Sequence, residues 1–152
     1  IYAAFGSKEG LYCEAIKNYA KQMQSLINER LVSCSSILGA LQDFVEYVVI
    51  SSKSNTPSAI CMLVKANNEF IEKDSYLYQI SVELMIDFEH YLTELFTLAI
   101  ADKELSGNIA AIDYARFFQI QFTGLRNYFN RPNVEHLAKP MIENMFSLMK
   151  SL

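Results

Sequence analysis

Histidine occurs only twice in the 152-residue chain, at His90 and His136, so imidazole chemistry has few places to act. The first closes the run Asp87-Phe88-Glu89-His90, which puts a carboxylate one helical turn before an imidazole. Such steps hold metals in carboxylate-bridged helical bundles, but those sites need a second pair and further inward carboxylates. At the matching place before His136 stands Asn133, so the second pair is missing. A surface or hydrogen-bonded histidine is the better reading of both. Cys13, Cys34 and Cys61 are widely spaced, with no Cys-x-x-Cys pair and no histidine nearby in sequence. Structural thiols are expected of them, not a disulfide framework or a zinc site. No Ser-His-Asp order, phosphate-binding loop or nucleotide fingerprint is present. The expectation is a chain without catalysis, metal or cofactor.

What remains is binding, and composition narrows it. The chain is 51% hydrophobic and 20% charged, enough apolar material to bury a core of one ordinary domain. Net charge is −4 and the isoelectric point near 5.2, so no broad attraction to phosphate or to an anionic membrane is expected. No apolar run approaches the roughly 18 residues of a membrane span. An odd number of scattered cysteines, with no signal peptide, points to a reducing cytoplasmic setting. The chain opens at Ile1 in the middle of an apolar pattern, which suggests sequence upstream.

The elements that would position a binding site are helices. Three prolines and five glycines fall mostly at junctions, and strand-like alternation is absent over any useful length. Ser7 is a natural N-cap for a first helix to about Val32, whose apolar face carries Tyr12, Ala15, Ile16, Tyr19, Met23, Leu26, Ile27 and Leu31. A second helix is predicted from about Ile37 to Ser52, and a short third from about Ser58 to Ile71. Asp74 or Ser75 caps a long fourth, to about Ala101. A turn containing Gly107 leads to a fifth, about Ile109 to Asn130. After Arg131-Pro132-Asn133 a last helix runs from about Val134 to Met149, with Pro140 marking a bend or restart. The fold class is all-α, a bundle of about six helices.

The last two helices are too greasy for one subunit. Tyr114, Ala115, Phe117, Phe118, Phe122, Leu125, Tyr128 and Phe129 cover roughly half of the fifth helix, and Val134 to Met149 repeats this. A helix at the edge of a monomer needs an apolar stripe on the order of 100° wide. The surplus points to a second copy, giving a two-fold four-helix interface through Phe117, Gln121, Leu125, Tyr128, Leu137, Met141, Met145 and Leu148. A central, fully packed helix is the competing reading.

The opening residues carry a further signal: Ile1-Tyr2-Ala3-Ala4-Phe5-Gly6-Ser7-Lys8-Glu9-Gly10-Leu11-Tyr12. This run resembles the end of the DNA-binding segment of TetR-family regulators. There, a recognition helix finishes in a Tyr-x-x-Phe turn and passes through a Ser-Lys-Glu step into a long connecting helix. Ile60-Cys61-Met62-Leu63-Val64 is similar, more weakly, to the start of the sixth helix in many members. The resemblance implies that residues 1–6 end a truncated helix-turn-helix domain and that 7–152 form a ligand-binding and dimerisation domain. It implies that Tyr2 and Lys8 meet the DNA backbone in the intact parent, an ammonium at a helix N-terminus being a good anion site. Most of the recognition helix precedes Ile1, so operator DNA is a partner of the parent only.

In that setting the helices before the dimer pair would enclose a mostly apolar pocket for an unidentified small-molecule effector. Its expected lining is Phe44, Tyr47, Val48, Met62, Ala66, Phe70, Met85, Phe88, Tyr91, Phe118 and Phe122, with Asn67, Glu89 and Gln119 as polar anchors. Each of these is also the kind of residue that simply builds core. An effector preferring one arrangement of the connecting helix would change the spacing of two DNA-reading heads. The expected function is therefore a homodimeric, ligand-responsive transcriptional regulator, most simply a repressor. The alternative is a helical dimerisation or interaction module with no small-molecule effector.

Overall fold

The computed structural model of the chain describes residues 6–51 and 75–152. Among these, five α-helices and two short helical turns make up the regular structure, with no strand. The short helix predicted over 58–71, and with it Met62, Ala66, Asn67, Phe70 and the 60–64 run, lies outside the described residues. So do Tyr2 and Cys61.

Helix α1 spans Lys8–Ser33 and α2 spans Ile37–Glu46, continuing into a π-helical turn at Tyr47–Ser51. Then come α3, Tyr76–Ala101, and α4, Ala111–Tyr128. A single 3₁₀ turn, Glu135–Leu137, leads into α5, Ala138–Ser151. Pro140 falls in the first turn of α5, where its missing N–H would have had no partner in any case. It starts the helix and does not bend it.

Helix starts are held by serines and by carboxylates from distant segments. Ser7, Ser36 and Ser75 each accept from the backbone N–H three residues on, at 3.0, 2.9 and 3.2 Å. The Glu9 carboxylate at the start of α1 accepts from Leu77 N at 3.1 Å, tying α1 to α3. Glu104 accepts from Ile37 N and Leu38 N, at 2.9 and 3.1 Å, tying the loop after α3 to α2. That reach depends on how α3 ends. Glu104 N donates to Ala99 O and Lys103 N to Ile100 O, with Lys103 at φ 59°, a Schellman turn with lysine in the left-handed position. Removing the carboxylate in Glu104→Ala exposes two first-turn donors of α2. It is expected to lower stability by about 1–2 kcal/mol, read as a lower urea midpoint with unchanged slope at fixed protein concentration.

The interior falls into two clusters. The larger joins α2, α3, α4 and α5 with the C-terminal half of α1 through Ile27. Rings form a chain inside it: Phe44–Phe122 at 5.3 Å, Phe122–Phe118 at 5.8 Å, Phe118–Phe96 at 6.0 Å and Phe118–Phe146 at 6.3 Å. Four helices are thereby held by one aromatic relay. The smaller cluster is Cys13, Ile16, Tyr19 and Leu77, where the N-terminal half of α1 lies on the start of α3. Met23 borders both. The first three turns of α1 thus rest on a few residues of α3, separate from the main core.

Candidate functional site

Helices α4 and α5 leave an apolar groove on the surface. Helix α4 contributes Ile120, Gln121, Gly124, Leu125 and Tyr128 to it, and α5 contributes Met141, Asn144, Met145 and Leu148. Phe129 and Leu137 close one end. Its volume is about 550 Å³. None of these side chains carries a formal charge. Ile120 is 68% exposed, Leu148 57%, and Met141 and Tyr128 44% each, values belonging to surface and not to core. Such residues are scattered singly on most proteins, but here they are contiguous.

Seven of the eight residues expected at a dimer interface line this groove: Gln121, Leu125, Tyr128, Leu137, Met141, Met145 and Leu148. Met145 is buried at its floor, and Gln121 and Leu125 are half-buried. Phe117 is brought elsewhere, half-buried against the main core. Three residues that the sequence reading passed over belong with them, Ile120, Gly124 and Asn144. Ile120 lies outside the apolar arc read on α4, and its exposure sets it apart. Gly124, one turn further on, has nothing within 4 Å of the place a Cβ would occupy. A glycine inside a helix costs about 1 kcal/mol relative to alanine. No described residue of the subunit uses the space that Gly124 leaves.

The expected effector-pocket residues divide. Phe44, Phe118 and Phe122 are buried and in ring contact within the main core. Phe88 and Tyr91 stack at 6.2 Å on α3, both half-buried. The Tyr91 hydroxyl donates to Asn28 Oδ1 at 2.7 Å, and burial pushes its pKa up to about 12, so it acts as a neutral donor. Met85 borders the small cluster. Of the anchors, Glu89 pairs with Arg116 at 3.5 Å and Gln119 is half-buried.

Tyr47 and Val48 stand apart from these. They sit on the π-helical turn and line a second cleft, of about 450 Å³, against α1 and the end of α4. Arg126 enters this cleft from α4. Its Nη1 donates to the Tyr19 hydroxyl, and its guanidinium lies 5.7 Å from the Tyr19 ring and 5.5 Å from the Phe122 ring. The sequence reading missed Arg126. Its available signal was a charge four residues after Phe122, at the spacing that faces the core.

The remaining chemistry-bearing residues stay apart. Asp87, His90 and His136 are exposed, and no group of three potential metal ligands forms among the described residues. Cys13 is buried, and burial, reinforced by the nearby Glu9 carboxylate, pushes its thiol pKa up. That keeps it a protonated thiol, a poor nucleophile. Lys8 is the first residue of α1, exposed, with its ammonium 6.0 Å from the Tyr12 ring. No described helix is long and apolar enough to cross a membrane. No protein-family model matches the chain, and comparison with curated proteins and with solved structures gives no significant match.

Proposed function

We propose that the chain is the effector-binding and dimerising part of a TetR-type transcriptional regulator, pairing through α4 and α5 with a second copy of itself. The uncharged apolar groove between those two helices carries the reading. In a two-fold contact the same patch meets itself, so any charge on it faces its own sign unless offset. A patch without charge meets no such conflict. The open place at Gly124 lets a partner helix approach closely at the centre of the contact. The eleven lining residues are about half of the 20–30 a standard interface uses on each side, so flanking turns of both helices must take part.

The start of α1 suits a transmitting role. The Ser7-Lys8-Glu9 step caps and opens α1, and that end of α1 rests on the small cluster with α3. Because α3 also enters the main core, a displacement of α3 would be felt in both clusters at once. DNA reading would belong to the helix-turn-helix domain that the resemblance implies. The test is selection of random DNA by the full-length protein. A dimeric regulator enriches an inverted repeat whose half-sites lie about one helical turn, or a multiple of it, apart. Enrichment of no sequence, or of a single undivided site, counts against the reading.

A second reading, a dimerising helical module without an effector, is favoured by one observation: of three expected pocket residues, Phe44 and Phe118 each pack on Phe122 in the main core.

A further inference from the structure

Two guanidinium groups among the described residues are half-buried, Arg30 and Arg126. Arg30 is neutralised: its Nε lies 3.0 Å from Asp43 Oδ2, and its plane covers the Tyr47 ring at 4.6 Å. Arg126 has aromatic faces and the Tyr19 hydroxyl around it, but no carboxylate among the described residues pairs with it. A cation held partly out of water without a counter-charge is set to take an anion, and the guanidinium fork matches a carboxylate best.

Its surroundings specify the rest of the ligand. From Tyr19 the cleft follows α1 past Met23 to Leu26, with Val48 opposite. Seven residues of helix measure about 10 Å, the reach of a medium-length acyl chain or a substituted aromatic ring. Lys21 adds a second positive charge at the Arg126 end. Among the described lining residues the one acidic side chain, Glu29, stands ten residues along α1 from Tyr19, about 15 Å away. The cleft is thus cationic at one end, and in its middle Met23, Leu26 and Val48 offer apolar surface beside the polar Gln22 and Ser25. The π-helical turn supplies Tyr47 and Val48, and such turns recur at binding sites. At about 450 Å³ the cleft lies within the range of small-molecule sites.

We infer that the cleft between α1, the π-helical turn and the end of α4 binds an organic carboxylate with an apolar body, its carboxylate on Arg126 and its body along Met23, Leu26 and Val48. This rests on the effector-binding reading above and names the chemical class of effector. A ligand held this way bridges α1 to α4, linking the connecting helix to the proposed dimer helix.

Calorimetric titration of the chain with octanoate and with octylammonium, which share an apolar tail and differ in the sign of the head, tests this. Octanoate should bind saturably at one per chain and at least tenfold more tightly than octylammonium. In Arg126→Gln its affinity should fall at least tenfold, with Arg126→Lys intermediate and the far-UV circular dichroism of both unchanged. Equal affinity for the two probes, no saturable octanoate binding, or an unaltered Arg126→Gln would overturn the inference. The unmodified chain alone supplies the head-group comparison, should either variant fold poorly. Sedimentation of the same samples keeps the two proposals apart. A dimer indifferent to octanoate leaves pairing intact and removes this ligand class, whereas a monomer that binds octanoate does the reverse.

Discussion

The double substitution Met141→Glu, Leu148→Glu is expected to turn a dimer into a monomer without unfolding it. Both side chains project from α5 into the groove and are about half exposed, 44% and 57%. In the subunit alone a glutamate at either place stays in water and disturbs little. In the pair, two-fold symmetry brings four carboxylates into an apolar contact that offers no cation. Burying an unpaired charge costs several kcal/mol even after relaxation. Two per subunit should weaken association by at least three orders of magnitude, about 4 kcal/mol. Sedimentation velocity reads the change in mass, and circular dichroism reads the retained helix. A doubly substituted chain that still sediments with wild-type mass would place the contact elsewhere.

The largest effect on stability is expected from Phe118→Ala. Phe118 has no solvent exposure and meets Phe96 of α3, Phe122 of α4 and Phe146 of α5 within 6.3 Å between ring centres. Removing the ring leaves a cavity at the crossing of three helices, where no single neighbour can move in without breaking another ring pair. Phenylalanine-to-alanine changes in such places cost about 3–5 kcal/mol. That is a large share of the 5–15 kcal/mol that holds a domain folded. Asn127→Ala, exposed on the same helix, should change stability by less than about 0.5 kcal/mol. Both must be measured at one protein concentration, since a dimer's midpoint depends on it. An equal loss in the two variants would mean that the aromatic relay contributes little.

How far these features could be read beforehand depends on whether their cause is local. Helix starts at Ser7 and Ser75 are legible because a cap acts within three residues. The breadth of the apolar face on α4 and α5 is legible because periodicity reports it, and most of the groove follows. Ile120 is not, since an apolar residue outside the buried arc looks like noise until a neighbouring helix frames it. The π-helical turn at Tyr47–Ser51 leaves no trace in a 3.6-residue pattern, and the second helix was predicted to run through it. Glu104 capping α2 spans 67 residues of sequence and depends on a Schellman turn with lysine where glycine is usual. Phe44, Phe118 and Phe122 show the limit from the other side. Aromatic residues at helical spacing suit a pocket and a core equally, and only their mutual distances tell the two apart. Arg126 was obscured by position, because a charge near the end of a helix ordinarily means a solvated face.

Sedimentation equilibrium of the unmodified chain over a range of concentrations tests the central claim most directly. Self-pairing through α4 and α5 predicts a mass of twice 17.4 kDa at micromolar concentration, shifting toward one subunit only on strong dilution. A mass of 17.4 kDa up to the highest attainable concentration would contradict it.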